Sequence, residues 1–337
     1  MNKLLKLSMA AVAVVGLSAN AGTLENVQKA GELKCGVSTG LPGFAEVGAD
    51  KKWKGLDVDM CRSVAAAVLG DASKVKIVPL TAKERFTALQ SGEIDLLSRN
   101  TTWTQSRDTS LGVNFAGVNY YDGQGFLVAK SLGVSSAKQL NGASVCITAG
   151  TTTELNLAEY FKANNMTFKP ITYDTADQVR KGFEAGRCDL ITSDASQLYA
   201  LRTQMAKPGN YEVLPEIISK EPLGPLVRQG DDQWFNIAKW SLNALKTAEE
   251  FGVTSANVDD MAANSKTPEV KRLLGTQGDL GKTMGLDKKW AYNIIKQVGN
   301  YGESFERNVG MGSPLKIKRG QNALWKDGGL QYSPPFR

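Results

Sequence analysis

The chain has 337 residues, which is longer than one hydrophobic core usually supports and predicts two lobes. It contains no histidine, and this excludes Ser-His-Asp triads, histidine general bases and histidine-ligated metal sites. The formal net charge is +6, but the signs are interleaved up to KIKRGQNALWK near the end, so we expect no nucleic-acid partner.

The first 21 residues have the pattern of a secretory signal peptide. Lys3 and Lys6 form a short basic region, LSMAAVAVVGL is apolar but too short to span a bilayer, and Ala19-Asn20-Ala21 offers a cleavage site. We therefore predict that residues 1–21 are removed and that the mature chain is exported. No later segment has the roughly 20 consecutive apolar residues of a transmembrane helix.

Two runs of alternating strands and helices follow in the same order. In the first run, the predicted strands are LKCGVS, KVKIVPL and EIDLLS, with the helices LDVDMCRSVAAAVLG and KERFTALQSG between them. In the second run, the strands are ASVCIT, TFKPITY and CDLITS, with the helices TTELNLAEYFKANN and ADQVRKGFEAG. Such alternation predicts an α/β protein in which each lobe is a mostly parallel sheet flanked by helices.

Two β-prone stretches connect the runs. VNYYDGQGFLVAKSLGV leads from the first run to the second, and IISKEPLGPLVRQ leads back to the predicted helix WFNIAKWSLNALKTAEEFG. The two crossings predict a two-strand hinge beside a cleft that can close on a small ligand. We place the first lobe at residues 22–125, the second at 126–222, and the return to the first lobe with a C-terminal helical extension at 223–337.

The four cysteines allow three pairings if all of them are bonded. Cys35 and Cys61 belong to the first run, and Cys146 and Cys188 belong to the second. Bonds within each run would leave the lobes free to move, and the alternative is two or four buried free thiols. The absence of a CxxC motif disfavours redox catalysis.

The predicted strand EIDLLS runs directly into the polar loop SRNTTWTQSRD. An arginine just past the end of a central strand lies where open α/β sheets bind ligands, although Thr and Asn also form ordinary solvated turns. In the second run, GTT before a helix and the Asp after CDLITS occupy similar places. These residues either bind a ligand or serve as a helix start and a helix cap.

Several motifs together resemble the periplasmic solute-binding proteins of polar amino-acid ABC transporters: GLDVDMCRSVAAAV, ALQSGEIDLLSRNTTWTQSRD, AGTTTELNL and EAGRCDLITSD. Through GLPGF, NTTWTQSRDTSLGVNFAGVNYYDGQGF and LPEIISKEPLGPLVRQGDDQWF, the chain is most similar to the general L-amino-acid-binding proteins. The resemblance covers nearly the whole mature chain. It implies the type II periplasmic binding protein fold, with two α/β lobes that hold the ligand between them.

The resemblance also implies how the two lobes bind an amino acid. In the first lobe, Asn100 and Thr102 would offer amide, hydroxyl and backbone contacts, and Arg107 would bind the α-carboxylate through two parallel hydrogen bonds. In the second lobe, Thr152 at the helix start would contact the carboxylate, and Asp194 would accept hydrogen bonds from the α-ammonium.

Recognition of the ligand side chain rests on fewer residues. Arg85 matches a position where acidic-amino-acid binders of the family hold a second carboxylate, and the alternative is a solvated helix arginine. The family's aromatic platform would fall at Leu41 or shift to Phe44.

We therefore predict a periplasmic binding protein that captures L-amino acids and delivers them to the inner-membrane subunits of an ABC permease. We expect a preference for Glu, Gln, Asp or Asn, a monomer, and neither cofactor nor metal. Because a bond between lobes would obstruct closure, we expect the pairs Cys35–Cys61 and Cys146–Cys188. The alternatives are an exported dehydratase on the same fold, with Asp194 or Glu154 as its acid or base, and a sensor input domain.

Overall fold

The structure of the protein is a computed structural model that describes residues 22–337. The predicted signal peptide, residues 1–21, lies outside the described residues. The first part of the chain alternates between strands and helices: α1 Thr23–Ala30, β1 Leu33–Ser38, β2 Glu46–Val47, β3 Trp53–Lys54, α2 Leu56–Leu69, β4 Val75–Leu80, α3 Arg85–Ser91, β5 Leu96–Leu97, α4 Gln105–Ser110 and β6 Val113–Phe115.

The chain then crosses to a second sheet and comes back. The elements of this part are β7 Tyr120–Asp122, β8 Gln124–Ala129, β9 Ser144–Thr148, α5 Thr152–Ala163, β10 Lys169–Tyr173, α6 Ala176–Glu184, β11 Leu190–Asp194, α7 Ala195–Thr203, β12 Tyr211–Val213, β13 Glu221–Leu223 and β14 Leu226–Arg228. The last part is helical: α8 Asp232–Glu250, α9 Val258–Asn264, α10 Pro268–Leu273, α11 Trp290–Val298 and α12 Tyr301–Asn308.

Two five-stranded sheets form the centres of the two lobes. The first has the strand order β4-β1-β5-β14-β6 and the second has the order β10-β9-β11-β8-β12. In each sheet four strands run in one direction, and the strand that follows a crossing, β14 in the first sheet and β8 in the second, runs antiparallel to both of its neighbours. Each sheet is therefore mixed, because the chain that arrives from the other lobe enters the sheet in the opposite direction.

The hinge consists of β7 and β13, which pair with each other in antiparallel fashion. Strand β8 begins at Gln124, two residues before the boundary predicted at 126, and β13 contains the second predicted boundary at 223. The central strands β5 and β11 both end towards the space between the lobes. Loops that follow these strands therefore face each other across the cleft.

Helix α2 carries two carboxylates, one directed towards the cleft and one towards the C-terminal helices. It begins after Gly55, whose φ is +132°, and a Cβ there would lie 2.1 Å from the carbonyl oxygen of Phe44, so only glycine fits. Asp57 and Asp59 follow in the first turn, where the helix dipole favours negative charge. Asp57 reaches towards the cleft and Asp59 towards the C-terminal helices.

The C-terminal extension covers the first lobe. Trp290, Ile294 and Phe305 belong to the same hydrophobic core as the strands and α2 of that lobe. The Asp59 carboxylate fastens α12, since its Oδ2 accepts hydrogen bonds from Ser304, Arg307 and Asn308 at 2.6–3.1 Å. Among the described residues, no helix has the length and apolar character needed to cross a membrane.

Each disulfide joins two cysteines of the same lobe, one bond in each lobe. Cys35 on β1 is bonded to Cys61 on α2, and Cys146 on β9 is bonded to Cys188 just before β11. Each bond ties a central strand to a neighbouring element of its own lobe. The lobes are joined by the hinge and by non-covalent contacts, so the disulfides leave closure unobstructed.

We predict that removing either bond lowers the free energy of unfolding by about 3–4 kcal/mol, because the bonds close chain segments of 26 and 42 residues in the unfolded state. Urea unfolding of the Cys35→Ala/Cys61→Ala and Cys146→Ala/Cys188→Ala proteins measures this loss. Ligand affinity at a temperature where both variants are folded should stay within a few-fold of wild type. A loss below about 1 kcal/mol would contradict the prediction.

Candidate ligand-binding cleft

A small cavity lies between the lobes, at the carboxyl ends of β1, β5, β9 and β11. This is the edge of open α/β sheets at which ligands bind. The cavity is lined by residues of both lobes, and five of the six residues predicted from the sequence are among them: Arg85, Asn100, Thr102, Thr152 and Asp194. Arg107 is not among the lining residues.

The loop after β5 is held in an unusual conformation by Asp57. Asn100 has a φ of +31°, which asparagine tolerates better than most residues, and its backbone N–H donates to Asp57 Oδ2 at 2.9 Å. Asp57 Oδ1 also accepts from Ser98 Oγ at 3.1 Å. The Asn100 side chain contacts Gln197 of the second lobe at 3.4 Å, so a strained loop residue reaches across the cleft.

Arg107 lies behind the cavity wall. Its Nη1 donates to the backbone carbonyl of Thr102 at 2.9 Å, and its guanidinium lies over the Phe86 ring, 5.3 Å from the centroid. These contacts hold the Arg107 guanidinium against the Thr102 backbone and the Phe86 ring. The arrangement results from α4, which begins at Gln105 after the Thr104 hydroxyl caps the Arg107 N–H.

The second lobe presents a helix start and a carboxylate. Gly150, with a φ of +75°, makes the turn after β9 that brings Thr152 to the first position of α5. Asp194 ends β11 and occupies the N-cap position of α7, but its side chain makes no capping hydrogen bond. The helix-cap alternative for Asp194 is therefore wrong, and its buried carboxylate lines the cavity instead.

Two arginines of the first lobe are buried at the cavity. Arg85 is 2% exposed; it donates to Thr101 Oγ1 at 3.3 Å and to the Gly150 carbonyl at 3.4 Å. Its buried Nε has no hydrogen-bond partner among the described residues. Arg99 is 9% exposed, and its Nε donates to the Leu80 carbonyl at 3.0 Å. The alternative of a solvated Arg85 is therefore wrong.

The pKa values of the charged groups in the cavity are shifted in opposite directions. Burial, with repulsion from Arg99 and Arg107, lowers the pKa of Arg85 well below its ordinary value, and burial lowers the pKa of Arg99 to about 10. Burial, with repulsion from Asp122 and Glu221, raises the pKa of Asp194 well above its ordinary value. A ligand that carries both a negative and a positive group would relieve both perturbations.

Three lining or neighbouring residues were missed by sequence reasoning: Arg99, Gln197 and Glu221. Arg99 lies in the same loop as Arg107. Its position directly after the predicted strand EIDLLS could have marked it as a candidate ligand-binding residue. Gln197 lies one turn into α7, where nothing in the local pattern marks it. Glu221 lies in IISKEPLGPLVRQ, whose pattern indicates only a β-prone crossing between the lobes.

Of the two candidate positions for an aromatic platform, Leu41 faces the cavity and Phe44 lies in the core of the first lobe. Leu41 lines the cavity and is 2% exposed. Phe44 belongs to the core of the first lobe, where its ring packs edge-on against Tyr120 with 5.4 Å between centroids. An aliphatic side chain therefore occupies the cavity wall at this point.

The lobes contact each other at the mouth of the cleft as well as at the cavity. Lys83 Nζ of the first lobe lies 2.8 Å from Asp174 Oδ1 of the second. Deeper in the cleft, the hydroxyl oxygens of Thr102 and Thr152 are 3.4 Å apart. The cleft is thus closed. Within residues 22–337, no cluster of three or more carboxylate or cysteine side chains is suited to hold a metal ion.

Comparison with known proteins identifies the family. Residues 33–256 match the family model of the bacterial extracellular solute-binding proteins, family 3. The chain belongs to this family. Its type II two-lobe fold is that of the family, and its amino-acid-binding relatives are substrate-binding components of ABC transporters rather than enzymes, which disfavours the dehydratase alternative.

Similar family 3 proteins span the whole chain. The general L-amino acid-binding periplasmic protein of Rhizobium johnstonii is 59% identical over 340 residues, which cover 100% of this chain and 99% of the relative. The glutamate/glutamine/aspartate/asparagine-binding protein of Rhodobacter capsulatus is 54% identical over 330 residues, or 98% of each chain. A solved Brucella ovis ABC transporter periplasmic binding protein with glutathione bound has a TM-score of 0.92 and 56% identity, covering 94% of this chain and 100% of that one.

The buried Asp57 carboxylate should make the stability of the folded protein depend on pH. Burial raises its pKa from 3.8 to about 6, against the hydrogen bonds from Asn100 and Ser98. Because the folded protein binds this proton more tightly than the unfolded chain, the stability that it contributes is full below pH 3.8 and is lost as the pH rises through 6.

In Asp57→Asn this dependence should disappear. The free energy of unfolding of wild type, relative to Asp57→Asn, should fall by roughly 2 kcal/mol between pH 4 and pH 7, as measured by urea unfolding. The exposed Asp260→Asn serves as the control and should show no such change. A constant difference between wild type and Asp57→Asn would contradict the prediction.

Proposed function

We propose that this protein binds free L-amino acids, with a preference for those that carry a side-chain carboxylate or amide. The observation that carries the proposal is the cavity between the lobes, which holds two buried guanidinium groups and a buried carboxylate. Asp194 would accept hydrogen bonds from the α-ammonium. The guanidinium groups would bind carboxylates through paired hydrogen bonds.

The number of positive groups favours an acidic ligand. An amino-acid zwitterion has one α-carboxylate, which Arg107 would bind, so the two buried guanidinium groups that line the cavity, those of Arg85 and Arg99, favour a ligand with side-chain oxygens. We assign the side-chain group to Arg85, whose buried Nε lacks a partner among the described residues. We assign the α-carboxylate to Arg107, whose guanidinium would turn from the Thr102 carbonyl to the ligand; the support is the family resemblance and the position of Arg107 next to Thr102. Asn100 and Thr152 would complete the wall on either side.

We further propose that the protein works as a monomer in the periplasm, after removal of residues 1–21, and delivers its ligand to an inner-membrane ABC permease. A permease can respond to the ligand only through a difference between open and closed forms. The closed cleft brings surfaces of both lobes into one fixed arrangement, and this provides that difference. The ligands for which these relatives are named, together with glutathione, whose glutamyl end is itself a zwitterion, define the panel to be tested.

The two arginines should have different effects on selectivity. Arg85→Ala should weaken glutamate and aspartate at least tenfold more than leucine, because only the acidic ligands present a second carboxylate. Arg107→Ala should weaken every ligand by about two to three and a half decades, since loss of one buried partner costs about 3–5 kcal/mol. Calorimetric titration with Glu, Gln, Asp, Leu and glutathione measures both effects.

The matched control is Arg180→Ala, which removes an arginine held by Asp177 and Glu184 on α6, away from the cavity. It should bind every ligand like wild type. Equal losses for all ligands in Arg85→Ala would show that Arg85 acts on the fold of the loop. Wild-type affinity in Arg107→Ala would remove Arg107 from the binding site.

Binding should also release protons. The raised pKa of Asp194 should fall when a ligand ammonium lies beside it, so affinity should increase as the pH rises through the Asp194 pKa of the free protein. Titrations at a series of pH values, each in buffers of different ionisation enthalpy, measure the released protons. Asp194→Asn should abolish the release and weaken all ligands. Unchanged proton release in Asp194→Asn would assign it to another group.

A further inference from the structure

Glu221 is a buried carboxylate of the hinge that sequence reasoning did not consider. It begins β13, pairs with Asp122 of β7, and is 1% exposed. Its position is unusual because the hinge is the part of the molecule that must deform when the lobes separate. A charged group buried there needs partners in the closed form.

Four donors converge on the two carboxylate oxygens. Oε2 accepts from Thr102 Oγ1 at 2.5 Å and from Thr152 Oγ1 at 2.9 Å. Oε1 accepts from Asn156 Nδ2 at 2.6 Å and from Ser219 Oγ at 2.7 Å. Thr102 belongs to the first lobe, whereas Thr152 and Asn156 belong to the second. One hinge carboxylate therefore joins the two lobes at the cavity.

The network also determines what the two threonines offer to a ligand. A hydroxyl has one proton, and an ionised carboxylate is only an acceptor, so Thr102 and Thr152 both direct their protons to Glu221. Each hydroxyl oxygen is then left with lone pairs only. The hydroxyl contact that the resemblance implies for Thr102 is therefore one in which Thr102 accepts.

We propose that Glu221 is a positioning residue with two effects. It favours the closed cleft by holding Thr102 and Thr152 together, because separating the lobes must break a charge-assisted hydrogen bond to a buried carboxylate. It also makes both threonine hydroxyls acceptors, so they face an N–H group of the ligand. The second effect rests on the proposed function, and the first does not.

The first effect is measured without any ligand. The four native cysteines are disulfide-bonded, so Lys76→Cys and Lys169→Cys can be spin-labelled selectively. These exposed residues lie on β4 and β10, the strands that lead to Lys83 and Asp174 at the mouth of the cleft. Double electron–electron resonance between the labels reports how far the lobes are apart.

Glu221→Ala should shift the distance distribution of the unliganded protein towards longer distances. The matched control is Asp122→Asn, which alters the paired hinge carboxylate, whose hydrogen bonds come from Gly123 and Ser196 and do not reach the first lobe. It should keep the wild-type distribution. Glu221→Gln retains one acceptor oxygen and should give an intermediate shift, which keeps the test available if Glu221→Ala does not fold. Wild-type distances in both Glu221 variants would overturn the proposal.

A second measurement separates positioning from a general loss of structure. Glu221→Ala should weaken glutamate binding about tenfold or more, mainly through faster dissociation. In a Thr152→Val background the same change should have a clearly smaller effect, because one of its partners is already gone. Equal fold-changes in the two backgrounds would overturn the positioning role. If wild type binds none of the amino acids, the proposed function fails, whereas the distance measurement still decides the effect of Glu221 on closure.

Discussion

Buried charge is the constraint to which the rest of the cleft is adapted. Arg85, Arg99 and Asp194 are all nearly inaccessible to water, and the perturbed pKa values of all three reflect the cost of that burial. Such groups persist only where the surrounding structure holds them in place. Here the sheets supply that rigidity, because the cavity residues follow strands whose apolar side chains form the lobe cores. The cleft is therefore preorganised to bind opposite charges, and this reduces the ordering cost of binding a small zwitterion.

The hinge does more than connect the lobes. Its strands are short, and the residues that touch them include Thr102 and Trp103 from the loop after β5. On the far side, Asn322 of the C-terminal extension donates to and accepts from the Tyr121 backbone at 2.7–2.9 Å. A change in the angle between the lobes must therefore be accommodated by the binding loop on one side and the extension on the other.

The first lobe is held together by more contacts than the second. Its core continues into α11 and α12, its central strand is bonded to α2, and Asp59 fastens the last helices. The second lobe is smaller and is held to the first by the hinge and by contacts across the cleft. The loop with Asn100 and Thr102 therefore extends from the lobe that has the more extensive core.

The sequence by itself determined the two lobes, the hinge between them and the lobe to which each cysteine belongs. It did so because buried parallel strands appear as apolar runs and helices as periodic ones. It also pointed to the loop after β5 and to Asp194, since ligands bind at the carboxyl ends of such strands. Only the tertiary structure decided which polar groups meet. Asn100 contacts Gln197, 97 residues away, and Thr102 contacts Glu221, 119 residues away. Local periodicity describes how a segment buries its own faces and contains no information on distant hydrogen-bond partners, so the role of Glu221 and the direction of the threonine hydroxyls followed from the fold alone.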